Sequence, residues 1–279
     1  MTGRLTSYRH GDLVFDVNDE GPLDGEVIVL LHGFPQLNTL WDHVVPRLHE
    51  AGYRTVAPNQ RGYSPGARPR GRWHYRLSNL AADIEVLVGE LGQPVHLVGH
   101  DWGAAAGWFA VSTAPHHFRS WTALSVPHPG AFFSAMFRGQ MFRAWYMVVF
   151  GIPFLPARVL GSARMQGRVR RWTRMPADVH QRYWEEVGSD RARLSAGLAW
   201  YGAMPLENPL AARIRVQVPT TFAWGTHDFA FGRGAAMRCA DFVEAPYEFR
   251  QLDGMGHWLP DEAPDLVAEL ILERVGTRP

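Results

Sequence analysis

The 279-residue chain contains no lysine; all 28 of its Lys/Arg positions are arginine. That absence excludes Schiff-base chemistry on a lysine amine and the phosphate-binding lysine of a P-loop. There is one cysteine, Cys239, so no internal disulfide can form, and with no His-rich neighbourhood the thiol reads as a small packing residue. Long apolar runs are also missing. None approaches the roughly 18 residues of a membrane span, and the segment from Met1 to Ser7 has no apolar signal core, so we expect a cytoplasmic protein without a membrane partner. Charge of one sign is not in excess either: the net charge of +1 gives no electrostatic reason to propose nucleic acid. No internal repeat and no His-Glu-x-x-His spacing occurs, and His116-His117 reads as a loop pair, so no metal is expected. One further gap is local. Between Trp102 and Ala177 there is no Asp or Glu at all.

What the chain does have is a composition of 46% hydrophobic and 20% charged residues, enough to bury a sizeable core in one large α/β domain, with or without a smaller insertion. Its most informative stretch runs from Val95 to Ala106. A short apolar run ends at Gly99, His100-Asp101-Trp102 follows, and Gly103 opens an Ala-rich, helix-favouring segment. This is the pattern of a nucleophile elbow, in which two glycines let a strand turn sharply into a helix and present one side chain above the sheet. Asp101 stands where serine is commoner. A carboxylate there can displace a leaving group at saturated carbon and form an ester that water later opens. The plainer reading is a turn whose aspartate caps the helix.

In chain order, Leu13–Val17 and the wholly apolar Val27–Leu31 read as strands, the second running into His32-Gly33-Phe34-Pro35. That rigid turn could aim the Phe34 N–H at the space above Asp101, and its Phe34-Pro35 bond is a candidate cis peptide. An amphipathic segment covers Leu40–Leu48, and a strand covers Tyr53–Pro58. Gly62-Tyr63-Ser64-Pro65-Gly66 satisfies the serine-hydrolase spelling G-x-S-x-G, but no apolar strand enters it and no helix leaves it, so it reads as a loop. Leu77, Leu80, Ile84, Leu87 and Leu91 recur at helical spacing up to Gly92. Ser120–Val126 is a further strand, after which the alternation stops.

From Gly130 to Ala212 the chain shows helical stretches and no convincing strand, which predicts a helical cap, 130–212, inserted into a core of 1–129 and 213–279. Arg158, Arg164, Arg168, Arg170, Arg171 and Arg174 in this stretch read as a solvated helix face. Strands Pro219–Gly225 and Tyr247–Leu252 then deliver Asp228 and His257 to loops, and an amphipathic helix closes the chain. The expected fold is a mostly parallel sheet flanked by helices on both faces.

In such a sheet Phe34, Asp101, Asp228 and His257 converge on the carboxyl rim, and the order nucleophile, acid, histidine is the one an α/β-hydrolase fold requires. With no carboxylate available after the Ser120–Val126 strand, Asp228 is left as the acid that orients His257. The chain as a whole resembles the α/β-hydrolase-fold epoxide hydrolases. His32-Gly33-Phe34-Pro35, Gly99-His100-Asp101-Trp102-Gly103, Ser125-Val126-Pro127-His128-Pro129 and Gly256-His257-Trp258 carry the likeness.

The resemblance implies that Tyr146 and Tyr201, in the cap, hydrogen-bond the epoxide oxygen while Asp101 attacks carbon. His257 with Asp228 then activates water against the resulting ester, and the N–H groups of Phe34 and Trp102 form the oxyanion hole. It implies a vicinal diol product, a small apolar epoxide and water as the partners, and no cofactor, and it leaves room for a homodimer. The chain departs from many relatives at Gly202, where a larger residue is common. Two rivals remain at this stage. A haloalkane dehalogenase uses the same triad, with Trp102 as a halide donor, but Phe34 cannot supply the second donor from its side chain, which leaves that part to Trp145 or Trp200. A non-catalytic ligand-binding protein could keep the same fold.

Overall fold

The apolar runs seen in the sequence become strands that are covered on both faces. In chain order the strands are β1 (Ser7–His10), β2 (Leu13–Glu20), β3 (Val27–Leu31), β4 (Arg54–Pro58), β5 (Val95–His100), β6 (Phe118–Leu124), β7 (Thr220–Gly225) and β8 (Tyr247–Leu252). The computed structural model describes residues 3–208, 210 and 213–276. They form one sheet in the order β1-β2-β4-β3-β5-β6-β7-β8, in which β1 and β2 pair antiparallel and the strands from β4 to β8 are parallel.

Every residue of β3, β4, β5 and β7 is buried, as a parallel sheet sandwiched between helices requires. The period-two alternation of a strand divides the core. Val27, Val29 and Leu31 face the layer that holds helices α2 (Leu77–Leu91) and α3 (Trp102–Thr113). Ile28 and Leu30 face the layer of α1 (Val45–Glu50) and the last helix, Pro264–Gly276. Each of these side chains contributes about 1.5–3 kcal/mol by leaving water, so a polar residue at any of them would remove a large part of the roughly 5–15 kcal/mol by which a domain is stable.

Between β6 and β7, which are hydrogen-bonded neighbours, the described chain is helical: α4 (Pro129–Ala135), α5 (Gln140–Arg143), α6 (Trp145–Phe150), α7 (Leu155–Leu160), α8 (Gln166–Thr173), α9 (Ala177–Tyr183) and α10 (Arg191–Ala203). Ala212, the expected end of the helical insertion, lies outside the described residues. A buried contact fixes α10 to the loop that follows β4: the Trp200 indole N–H donates to the Arg61 carbonyl at 2.9 Å. The Arg61 guanidinium is in turn held by both oxygens of buried Asp83, at 2.7 and 2.6 Å.

Several boundaries differ from the sequence reading. The amphipathic segment Leu40–Leu48 divides into a 3-10 turn, Asn38–Trp41, and α1, because Pro46 is tolerated only in the first turn of a helix and so starts a new one. β5 extends through Gly99 to His100, since Gly99 pairs with both Leu31 and Ala123, and His100 pairs with Leu124. β6 starts at Phe118 and stops short of Ser125, which has a positive φ of 69° that an extended strand cannot contain. β1 was not expected; it is four residues long, at the sheet edge, with one buried side chain, Tyr8. Ser64 is a structural residue in a loop, as read. Its hydroxyl donates to the Asn59 carbonyl and accepts from the Asp16 N–H, both at 2.9 Å.

Candidate active site

The elbow forms as its glycines dictate. Asp101 sits between β5 and α3 with φ 51° and ψ −120°, a conformation that costs an L-residue of order 1–3 kcal/mol and survives only where the surroundings impose it. Both flanking positions must be small. A Cβ on Gly99 would lie 2.6 Å from the Gly103 carbonyl oxygen, and one on Gly103 would collide with the Leu31 carbonyl. The resulting turn aims the Asp101 carboxylate back over the strand ends, at the N-terminus of α3, where the helix dipole favours negative charge. Its Oδ1 accepts a 2.7 Å hydrogen bond from the Phe34 N–H, in a loop whose Phe34-Pro35 peptide is cis. Trp102 is the first residue of α3.

The β7 and β8 loops bring the other two groups to the same rim. His257 Nε2 lies 3.2 Å from Asp101 Oδ2, and its Nδ1 lies 2.8 Å from Asp228 Oδ2. The second oxygen of Asp228 accepts from the backbone N–H groups of Ala230 and Phe231 at 2.7 and 2.9 Å, which fixes the carboxylate plane. All three side chains are buried. Burial alone would lower the pKa of His257, but the two carboxylates on either side outweigh it and lift it to about 10, so the ring is an imidazolium between two anions.

The backbone of His257 is held as closely as its ring. Its carbonyl accepts from the Ser125 hydroxyl at 2.7 Å and from His100 Nε2–H at 2.8 Å, and burial keeps His100 neutral, with its pKa lowered to about 4. On either side, the Glu262 carboxylate accepts from the Gly256 N–H at 2.6 Å and the Trp258 N–H at 3.2 Å. Glu262 belongs to a one-turn helix, Leu259–Glu262, that turns the chain back toward the loop. The sequence reading did not single out His100, Ser125 or Glu262. Ser125 carried a partial signal, its place in the quoted Ser125-Val126-Pro127 motif, whereas nothing local marked Glu262.

Tyr146 on α6 and Tyr201 on α10 face the carboxylate from the other side, with ring centroids 6.2 Å apart. Burial, reinforced by the Asp101 charge, pushes both phenols well above their ordinary pKa, so they remain neutral donors. Tyr201 is set edge-on to Trp102 at 4.9 Å and to Phe34 at 5.4 Å. Asp101, Tyr146 and Tyr201 border two spaces. One is a cavity of about 470 Å³ lined mostly by apolar groups such as Phe109, Val126, Phe132 and Met204, and the other a recess of about 40 Å³ bounded by His257, Trp172 and Tyr183. The position of Gly202 has room for a Cβ, which would lie 3.4 Å from the Gly151 carbonyl oxygen. Among the described residues, no group of three His, Cys, Asp or Glu side chains is arranged to hold a metal ion.

Residues 26–264 match the family model of the alpha/beta hydrolase fold. Epoxide hydrolase A of Mycobacterium tuberculosis is 30% identical, over 92% of each chain. The chain belongs to the α/β-hydrolase-fold epoxide hydrolases. The AB hydrolase superfamily protein YfhM of Bacillus subtilis is also 30% identical over 91% of both chains. Among solved structures, epoxide hydrolase A of Mycobacterium thermoresistibile superposes with a TM-score of 0.77 at 26% identity over 97% of each chain. A structure of the novel epoxide hydrolases from metagenomes of hot environments gives 0.85 at 25% identity over 99% of each chain. As a member of this family the chain also answers the dehalogenase alternative through its tryptophans. The Trp200 indole is committed to the Arg61 carbonyl, and Trp145 is 54% exposed on the outer side of α6, so neither offers a second halide donor inside the cavity.

Proposed function

We propose that the protein hydrolyses epoxides to vicinal diols through an ester on Asp101, with the described helices α4–α10 acting as the cap over the site. One observation supports this most directly. A carboxylate held on a strained elbow has an imidazolium and its acid on one side and two neutral phenols on the other. Phenols at this position match the needs of an oxyanion that develops on a substrate held against Asp101, and they can also supply the proton-donating contacts that a ring oxygen keeps after the C–O bond breaks.

The proton count closes over the cycle. Asp101 attacks an oxirane carbon; the C–O bond breaks, and the electron pair goes to the ring oxygen, stabilised by Tyr146 and Tyr201. Forming the ester removes the Asp101 charge that helped hold the proton on His257. The imidazolium therefore becomes more acidic at the moment when the new alkoxide, hydrogen-bonded to the tyrosines, requires a proton. His257 is left neutral, oriented by Asp228, and takes a proton from water as that water attacks the carboxyl carbon of Asp101. The Phe34 N–H, already 2.7 Å from Oδ1, and the Trp102 N–H stabilise the tetrahedral oxyanion. Collapse releases the diol and restores the carboxylate and imidazolium.

Separating the two steps tests the reading. His257→Gln incubated with styrene oxide should gain the mass of the epoxide on the peptide that carries Asp101, with little diol released, and Asp101→Ala should show neither. An adduct formed only with a haloalkane would make the protein a dehalogenase. No adduct with either compound, in a folded protein, would sink the covalent mechanism.

A further inference from the structure

The helices between β6 and β7 expose apolar side chains of a size and number that a solvated surface does not carry. Phe137 is 94% exposed, Phe154 82%, Phe142 79% and Val148 75%, with Trp145 and Leu155 also more than half exposed. Phe154 has φ 65°, a backbone conformation that is costly for a bulky side chain, and it holds its ring outward. Helix α6 has two faces. Tyr146 and Met147 line the large cavity, while Trp145 and Val148 point out. The Trp145 ring meets Trp172 of α8 at 5.6 Å, so the apolar ridge continues onto the helix that carries Arg168, Arg170 and Arg171. Those three, with Arg158, Arg164 and Arg174, are all exposed. The neighbouring arginines that do find carboxylates, Arg182 with Asp261 and Arg193 with Asp190, lie beyond this stretch, and none of the six pairs with a described carboxylate.

From this combination we infer that the outer face of α5–α8 docks on an anionic bilayer surface, with the phenylalanines entering the interface and the arginines meeting the headgroups. The charge pattern selects the occupant. A second copy of the chain in a two-fold dimer would set this face against itself, arginines against arginines with no acidic residue between Trp102 and Ala177 to receive them. A neutral protein partner would leave the arginines unanswered, whereas an anionic lipid surface satisfies both features at once. Docking there places the lipid phase against the same helix that carries Tyr146. Docking of this kind departs from the solvated face and the absence of a membrane partner expected from the sequence by adding peripheral contact, without any spanning segment; no helix among the described residues is long and apolar enough to cross a membrane.

Flotation of the full chain with vesicles tests the inference independently of any turnover. Binding is expected to phosphatidylcholine vesicles containing roughly 30% phosphatidylglycerol at about 50 mM salt, with little binding to pure phosphatidylcholine and a marked loss at about 500 mM salt. Arg168→Gln with Arg171→Gln should weaken partition by about 25-fold, and Phe142→Ser with Phe154→Asn by at least about tenfold. All four positions are exposed and outside the cavity, so circular dichroism and hydrolysis of a water-soluble epoxide should match the wild type. No binding to either vesicle, or equal binding to both, would overturn the inference. So would a dimer in analytical ultracentrifugation that the phenylalanine variant dissolves, since that would show a second copy covering the face.

Discussion

Replacing Glu262 by Gln tests whether the second half of the reaction depends on how the His257 backbone is held. The native carboxylate accepts from two N–H groups, at Gly256 and Trp258, which bracket the histidine. A glutamine has one carbonyl oxygen, so it can keep one of these bonds, and its amide N–H₂ then opposes the other donor. A hydrogen bond to a charged acceptor is worth about 1.5–3 kcal/mol net. Because Glu262 is half-buried we take about 1–2 kcal/mol as the energy lost in holding the loop, equivalent to roughly 5- to 30-fold in rate if it is lost in the transition state for water attack. Ester formation needs no base, so it should be nearly unchanged. Stopped-flow tryptophan fluorescence can follow alkylation, because Trp102 adjoins Asp101 in the chain, while diol release gives the steady-state rate. The expected signature is an unchanged fast phase, a lower kcat and an ester that accumulates on Asp101. A purely structural role would slow both phases together or leave both intact, and either result would refute the reasoning.

Two other tests bear on the site and on the fold. Tyr146→Phe and Tyr201→Phe should each slow single-turnover alkylation by roughly 10- to 1000-fold, with the double variant slower still, and unchanged alkylation in both would remove their role and direct attention to Tyr183 in the small recess. In acid, burial holds His32, His100 and His128 neutral with pKa values near 4, while an unfolded histidine titrates near 6.5, so their contribution to stability is complete above about pH 6.5 and is lost as the pH falls toward 4. His257, lifted to about 10, behaves oppositely: its contribution is complete below about pH 6.5 and is lost as the pH rises through 10. Urea denaturation midpoints should therefore fall on both sides of pH 6.5–7, and His257→Gln should flatten the alkaline limb; a midpoint independent of pH between 7 and 4.5 would contradict the buried-histidine account.

The elbow was legible because its constraint is local: two glycines four residues apart, an apolar run before them and an Ala-rich run after. The sheet was legible for the same reason, since strands buried on both faces write continuous apolar runs into the chain. Helix α2 ends at Gly92, as read, because that residue takes the left-handed conformation, φ 68°, that glycine adopts freely. What escaped the reading acts across long separations through the backbone. His100 and Ser125 reach the His257 carbonyl over 157 and 132 residues, and no local pattern encodes a side chain that grips a distant main chain. The exposed phenylalanines escaped for a different reason. An apolar residue in a helical stretch reads as core until its neighbours are known, and Phe137 and Phe142 have none that cover them.

The stretch that departs from β6 returns at β7, and these two strands lie side by side, with Trp121 paired to Thr220 and Leu124 to Ala223. The sheet is therefore continuous beneath the insertion, and its exit and re-entry points are neighbours whatever the length of chain between them. Closing a longer loop costs only about 0.6 kcal/mol for each doubling of length. The helices above this seam can lengthen, shorten or be exchanged for others without disturbing the register that aligns Asp101, Asp228 and His257. The nucleophile, acid and histidine thus reside on one part of the chain and the two phenols on another: recombination at the seam would transplant a new choice of substrate onto an unaltered triad, provided the incoming helices also supply hydroxyls in the places of Tyr146 and Tyr201.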